Sequence, residues 1–306
     1  MSGTCRICLD EVRGSGEYHS RCLNELFGKR KVPAIDIELG KMHTAALAMV
    51  GHTSISGAQK KISVHLSADR ATLKVAVSEG HYILKPQTDV YPNLPENEHV
   101  TTRLAQLVDI EVGKYGLIPL QDGSLAYIVR RFDRTAEGRK LRQEDFCQLA
   151  EKSPKEKYDG SAELCVKLLR KYASEPPIEI LKFYRMLVFS WWSGNGDMHL
   201  KNFSLQAGPD GLQRLTPAYD LVCTRLVIAN DPLALPANGK RDNFDRADWL
   251  RFAEYCQLPP KTAGRVLDTQ ANTLDETLAL LNRSFLPTTM KQAYAKLVQE
   301  RTAALA

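Results

Sequence analysis

Gly194-Asn195-Gly196-Asp197-Met198-His199-Leu200-Lys201-Asn202-Phe203-Ser204, followed by Thr216-Pro217-Ala218-Tyr219-Asp220-Leu221, is the part of the chain on which its reading turns. The glycines come directly after an apolar run of helical period, so the chain leaves a helix through a tight, Gly-rich loop. Asp197 and Asn202 stand five residues apart in that loop, and Asp220 follows eighteen residues after Asn202. Between them, Phe203–Gln206 and Gln213–Leu215 read as a hairpin. Two carboxylates and a carboxamide are hard oxygen donors of the kind magnesium takes, and one carboxylate can serve as a base. Asp and Asn are also common turn formers and caps, and an isolated Asp-x4-Asn carries little information. The hairpin-spaced second aspartate raises the pattern above that background.

Outward from this loop, Ile178–Trp192 carries Leu181, Tyr184, Leu187, Val188 and Trp191 on one stripe and is the expected central helix of the second half. The last sixty residues read as further helices, broken at Pro259-Pro260 and Pro287. Glu151–Gly160 is a charged, proline-containing loop, and the chain turns helical after Arg134. Upstream the period is two. Lys61–Leu66 is a half-buried strand, and Leu73–Val77 with Tyr82–Leu84 reads as a hairpin about Ser78-Glu79-Gly80. A helix follows with Val100, Leu104, Leu107 and Val108 on one face and Glu96 and Glu98 in its first turn. Gly116–Leu120 and Leu125–Phe132 form another β pair, and a helical stretch is expected near Met42–Val50. Strands with one helix, then mostly helices, predict an α+β chain in two lobes, 1–132 and 133–306, with a Cys/His-containing preamble over 1–30.

The chain of 306 residues is 43% hydrophobic and 25% charged, which excludes intrinsic disorder and a disulfide-stapled mini-protein. The longest apolar runs are too short for a membrane span, and the N-terminus has no signal-like core, so a cytoplasmic protein is expected, with export into another cell left open. A net charge of +5 is too mild for a dedicated nucleic-acid domain, and the basic clusters Gly28–Lys31 and Arg130–Arg142 read as solvated surface. Of seven cysteines, Cys147, Cys165, Cys223 and Cys256 lie in apolar contexts and read as reduced core residues. The others form Cys5-x2-Cys8 and, with a histidine, His19-x2-Cys22. This set is either a structural zinc site or free reduced thiols, because His-x2-Cys is a less usual second pair.

The N-terminal half places further chemistry in a particular order. His52–Lys61 precedes the first strand, where a loop could cover phosphates. Lys85 ends the strand Tyr82-Ile83-Leu84-Lys85, and Glu98 opens the next helix. Val129–Asp133 lies where strands give way to helices. Protein kinases show a similar order of loop, Lys, Glu, hinge, Asp-x4-Asn and Asp. Each signal alone has an ordinary structural explanation; the order is what carries weight.

Ser56-Gly57-Ala58-Gln59-Lys60-Lys61, Ile83–Pro86, Glu96-Asn97-Glu98, Arg131–Arg134, Gln143–Phe146 and Gly194–Ser204 together resemble the HipA-type serine/threonine kinases of toxin–antitoxin systems, over about residues 30 to 300. The resemblance implies a bilobed, protein-kinase-like α+β fold that uses ATP and Mg²⁺. Asp197 would be the catalytic base with His199 in support, and Asn202 and Asp220 the magnesium ligands. Ser56, Gly57, Ala58, Gln59, Lys60, Lys85, Glu98, Arg130, Arg131, Phe132 and Tyr219 would bind the nucleotide. The chain reaches its Gly-Ala-Gln loop early and carries two loop serines. It is thus similar to the short HipT form, which lacks the HipA N-terminal subdomain and works with a HipS-like antitoxin and a HipB-like DNA-binding protein. Ser54 and Ser56 would be autophosphorylation sites. The implied substrate is an aminoacyl-tRNA synthetase, tryptophanyl- in preference to glutamyl-. Two other readings stand beside this one: a small-molecule phosphotransferase, and an inactive kinase-like binding module in an antitoxin–DNA complex.

Overall fold

The structure is a computed structural model, described over residues 3–14, 16–36, 59–76, 80–135 and 137–306. Ser54, Ser56, Gly57, Ala58 and the expected helix near Met42–Val50 lie outside the described residues. The chain divides into two compact units: Met1–Arg103 with Gly113–Lys140 and Asn282–Leu286, and Leu104–Val112 with Leu141–Leu281 and Pro287–Ala306.

The first unit is built on a six-stranded sheet. Its strands are β3 (Ala34–Asp36), β4 (Ile62–Leu66), β5 (Thr72–Val75), β6 (Tyr82–Lys85), β7 (Tyr115–Pro119) and β8 (Leu125–Arg130), in the order β3-β5-β4-β6-β8-β7. All pairs are antiparallel except β3 with β5. The alternation read in Lys61–Leu66 holds, with Ile62 and Val64 buried and their neighbours partly exposed. The expected hairpin of Leu73–Val77 with Tyr82–Leu84 does not form: β6 pairs with the far side of β4, not with β5. Gly80 makes this crossover possible, since a Cβ there would lie 2.9 Å from both Val64 N and Val64 O. Preceding the sheet, β1 (Gly3–Thr4) and β2 (Glu11–Val12) pair antiparallel, and α1 (Ser20–Phe27) packs Leu23, Leu26 and Phe27 against Ile62, Val64, Leu84 and Ile128. Helix α2 (Leu94–Leu107) starts earlier than the acidic pair suggested, so Glu96 lies in the first turn and Glu98 does not.

In the second unit α4 (Ala162–Tyr172) and α5 (Pro176–Ser193) pack together. Twelve side chains of α5 are buried, so its burial extends well beyond the stripe its period suggested, as befits a core helix. Four later helices follow: α6 (Arg246–Tyr255), α7 (Pro260–Asn272), α8 (Leu274–Arg283) and α9 (Thr288–Leu305). The chain is not purely helical after Arg134. Strand β9 (Gln143–Asp145), which leads into the one-turn α3 (Phe146–Leu149), pairs with β10 (Ser204–Ala207), and β10 pairs with β11 (Gln213–Leu215) as the expected hairpin. Three residues are too few for periodicity to mark β9. Cys147, Cys165, Cys223 and Cys256 are buried free thiols, as read. Among the described residues no helix is long and apolar enough to cross a membrane.

Candidate functional site

In the first unit the side chains singled out by sequence meet in the core. Lys85, at the end of β6, is 2% exposed and ion-paired to Glu98 of α2, itself 1% exposed. Register places Lys85 opposite Tyr127 of β8, whose ring centroid lies 5.5 Å from the ammonium. Gln59 Nε2 donates to the second Glu98 carboxylate oxygen at 3.0 Å, so the predicted loop residue reaches the pair. Lys60 is half-buried. Two charges taken out of water are tolerable only when they satisfy each other, and here each is the other's partner.

The expected adenine-lining segment commits two backbone N–H groups and one side chain to partners within the protein. Arg130 is exposed and its N–H donates to the Lys114 carbonyl; the Arg131 N–H donates to the His81 carbonyl. The Arg131 guanidinium makes a two-pronged contact with Asp133, at 2.8 and 2.6 Å, and Arg134 adds a third bond at 2.8 Å. Burial alone would raise the Asp133 carboxyl, but these bonds and charges hold it below its ordinary value. Phe132 is half-buried.

In the second unit α5 ends at Gly194 in the left-handed region (φ 76), and the chain enters the loop read from the sequence. Gly196 is confined, since a Cβ there would strike the Asp231 carboxylate and lie 2.6 Å from the Pro232 carbonyl. Its N–H donates to Thr224 Oγ1 at 2.9 Å, and that hydroxyl also contacts the Asp231 carboxylate. The Asn195 side chain accepts from the Asp197 N–H at 3.1 Å. Asn202 Nδ2 donates to the Asp197 carbonyl at 2.8 Å, closing the five-residue loop on itself and leaving its own amide oxygen as a donor atom for a cation. The Asp197 carboxylate accepts from the Tyr158 hydroxyl at 2.5 Å, and His199, buried, brings Nε2 within 3.9 Å of the same oxygen. The Tyr158 and His199 rings meet edge-on, 5.0 Å apart.

Asp220 follows the β10–β11 hairpin in a left-handed conformation (φ 56). Tyr219, predicted on the nucleotide, has its hydroxyl engaged by the Lys201 carbonyl at 2.8 Å and Ser204 Oγ at 2.7 Å. Burial pushes its phenol well above the ordinary range, so it stays neutral and fixes the segment that carries Asp220 to the one that carries Asn202. Lys201 reaches Asp145 of β9 at 2.7 Å. A carboxamide oxygen and carboxylates are a fitting donor set for magnesium. Sequence reasoning missed Tyr158, Thr224 and Asp231. Tyr158 lies thirty-nine residues before Asp197 in a segment read only as a charged loop, and no local pattern marks it.

At the N-terminus all four residues of the candidate metal set come together. The ligand atoms of Cys5, Cys8, His19 and Cys22 lie within 4.8 Å of one another.

The sheet with its buried lysine–glutamate pair, and the helical unit with its Asp-x4-Asn loop and later aspartate, define a protein-kinase-like α+β fold. The HipA-like C-terminal domain family matches residues 53–278, and the chain belongs to that family. It is 32% identical over 216 residues to the putative kinase Y4mE of Sinorhizobium fredii, covering 66% of this chain and 50% of that one. It is 28% identical over 188 residues to the serine/threonine-protein kinase toxin HipA of Shewanella oneidensis, covering 55% of this chain and 42% of that one. The chain spans about half the length of the curated relatives it matches. Among solved structures, it resembles the Shewanella oneidensis HipA, HipB and operator DNA complex at TM-score 0.71 and 21% identity, covering 87% of this chain and 70% of that one. It also resembles the Helicobacter pylori proinflammatory kinase CtkA at TM-score 0.57 and 16% identity, covering 79% and 93%.

Proposed function

We propose that this chain is an ATP-dependent serine/threonine kinase that acts as a toxin on translation. Asp197 takes the proton from a serine hydroxyl as that oxygen bonds to the γ-phosphorus of ATP and the bond from that phosphorus to the β,γ-bridging oxygen breaks, releasing ADP; His199 and Tyr158 keep the Asp197 carboxylate in place. Asn202 and Asp220 hold magnesium. Lys85, steadied by Glu98, grips phosphate oxygens, with Gln59, Lys60 and the preceding Ser56-Gly57-Ala58 covering them, and Arg130–Phe132 lining the adenine. ATP is the phosphoryl donor, and magnesium held by Asn202 and Asp220 would offset the charge on the transferring group.

The observation that carries this reading is the Asn202 to Asp197 hydrogen bond at 2.8 Å, which holds the base residue and a metal-ligand residue in one rigid loop. The substrate we propose is an aminoacyl-tRNA synthetase, tryptophanyl- before glutamyl-, which places its action in the cytoplasm. The kinship with a HipA that is solved with HipB and operator DNA supports a HipB-like partner. The serine pair Ser54 and Ser56 supports the HipT type with a HipS-like partner and autophosphorylation at both positions, where added charge would oppose the nucleotide phosphates.

Transfer of labelled γ-phosphate to lysate protein, compared between the wild type and Asp197→Asn, tests the proposal. A synthetase band that loses about 10²–10⁴-fold in rate in the variant is expected. An equal band from both forms, or label found in a small molecule, rejects it. Phosphate on Ser54 or Ser56 of the Asp197→Asn protein would reject autophosphorylation.

A further inference from the structure

The first twenty-two residues contain few apolar side chains, yet they fold back on themselves. Their own core is Cys5, Val12 and Cys22, with Ile7 and Cys8 at its edge. Leu9 is buried as well, and Ile7 and Tyr18 pack against the main core of the unit, so the cluster around the thiols is one part of what orders the segment. Three of its five members are thiols, which are weak hydrogen-bonding groups that contribute little as such. All three are free, so no disulfide closes the segment.

What the thiols share is a centre. Two come from the turn of the β1–β2 hairpin. The third lies in the first turn of α1, whose N-cap residue is His19. Cys8 Sγ lies 3.3 Å and Cys22 Sγ 3.9 Å from His19 Nδ1, and Cys5 Sγ accepts from the His19 N–H at 3.4 Å. A tetrahedral zinc with sulfur ligands at about 2.3 Å has ligand–ligand edges of about 3.8 Å, so the four atoms stand near the corners of such a site. The histidine is set for the task as well. Its Nε2 lies 3.0 Å from the Glu11 carbonyl, which can only accept; Nε2 therefore carries the proton and the Nδ1 lone pair faces the thiols. A ligating histidine fixed through its other nitrogen by a backbone carbonyl is the usual outer-shell arrangement. Three thiolates and an imidazole around a divalent ion leave one negative charge, and Arg21, next in sequence to Cys22, carries a positive charge beside it.

The residues between the first two cysteines tie this centre to the rest of the first unit. The Leu117 N–H donates to the Arg6 carbonyl at 2.8 Å, and the Tyr18 hydroxyl returns a bond to the Leu117 carbonyl at 2.9 Å. Ile7 lies over Gly116 of β7, where a Cβ would come within 2.7 Å of its side chain. His99 Nε2 donates to the Ile7 carbonyl at 3.0 Å, and Arg103 Nε to the Cys8 carbonyl at 3.2 Å. Both belong to α2, and His99 is next in sequence to Glu98.

We propose that Cys5, Cys8, His19 and Cys22 bind one zinc ion in a tetrahedral Cys₃His site, and that the filled site holds the face of α2 that bears His99 and Arg103, and so positions Glu98 against Lys85. The second half bears on the kinase reading only through the Lys85–Glu98 pair; metal binding does not depend on it. Sulfur-rich tetrahedral sites select zinc over magnesium or calcium, and a closed set of four protein ligands makes the role structural.

The test uses the full chain. Metal analysis of the purified protein should find one zinc per chain, held at about nanomolar affinity or tighter at pH 7. Replacement by cobalt should give the visible spectrum of a tetrahedral thiolate site. His19→Cys should keep the metal and His19→Ala should weaken it. A folded, metal-free chain that gives no such cobalt spectrum overturns the site, and so does equal binding by His19→Ala and the wild type. Hydrogen exchange of the α2 amides near His99, with and without chelator, tests the coupling. Faster exchange after chelation is expected, and unchanged exchange with zinc removed overturns that half. None of these readouts uses phosphate transfer, so a chain without kinase activity could still pass all of them.

Discussion

Two charged sites in this protein are held by opposite means. In the first unit Lys85 and Glu98 neutralise each other at 2% and 1% exposure, with Gln59 bonded to the carboxylate and the Tyr127 ring beside the ammonium. In the second, the Asp197 carboxylate is 13% exposed, with the Tyr158 phenol hydrogen-bonded to it and the His199 imidazole close by. The difference is one of physical means. An ion pair fixes a cation's position at the cost of desolvating both charges. A phenol hydroxyl that donates to a carboxylate orients it without adding a charge beside it.

The comparison breaks most readily at the ion pair. Lys85→Met leaves Glu98 buried and unpaired, and should cost about 3–5 kcal/mol in urea unfolding; the double variant Lys85→Met/Glu98→Leu should recover most of that stability without restoring phosphate transfer. If the double variant stays as unstable as the single one, the pair is not what its burial implies.

A further test lies beside Glu98. His99 is fully buried between Tyr115, Phe285 and the Ile7 carbonyl, with the Arg103 charge nearby. Burial foremost, with help from Arg103, lowers its imidazole to about 4. The unfolded chain, with an imidazole near 6.5, therefore binds the extra proton between those values. Stability is fully present above about pH 6.5 and drains as pH falls toward 4, by about 3 kcal/mol in all. Urea midpoints across this range should show the fall in the wild type and a flatter profile in His99→Gln. The same slope in both would clear His99.

The loop sets the smaller effects. Gly196→Ala forces a methyl against Asp231 and the Pro232 carbonyl, and should lower stability by about 1–3 kcal/mol. Tyr158→Phe removes one donor from Asp197 and keeps the ring on His199. A loss of about 1 kcal/mol of positioning, read as a rate decrease of under about tenfold with little change in KM, is expected. A loss as large as that of Asp197→Asn would make Tyr158 more than a positioning residue.

Much of the candidate site was legible because it is local. Asp197 and Asn202 share one loop, Asp220 follows one hairpin, and Cys5, Cys8, His19 and Cys22 fall within eighteen residues, so spacing alone nominated them. Lys85 and Glu98 are thirteen residues apart, and their order was readable although their contact was not. Expectation failed where partners are chosen among distant or equivalent segments. β6 had two possible neighbours and took β4, β9 paired with a strand some sixty residues later, and Tyr158 found Asp197 across thirty-nine residues.

The amino-acid sequence by itself determined the periods of the strands and helices, the Gly-rich exit from α5, the oxygen donors of the loop and the thiol and imidazole set at the N-terminus. Each depends on side-chain chemistry and on backbone freedom within a few residues. The tertiary structure decided which strands pair, which hydroxyl faces Asp197, that Tyr219 braces two segments and that Arg131 turns to Asp133. Those outcomes come from burying one shared core and satisfying every polar group in it, and local spacing carries no record of that competition.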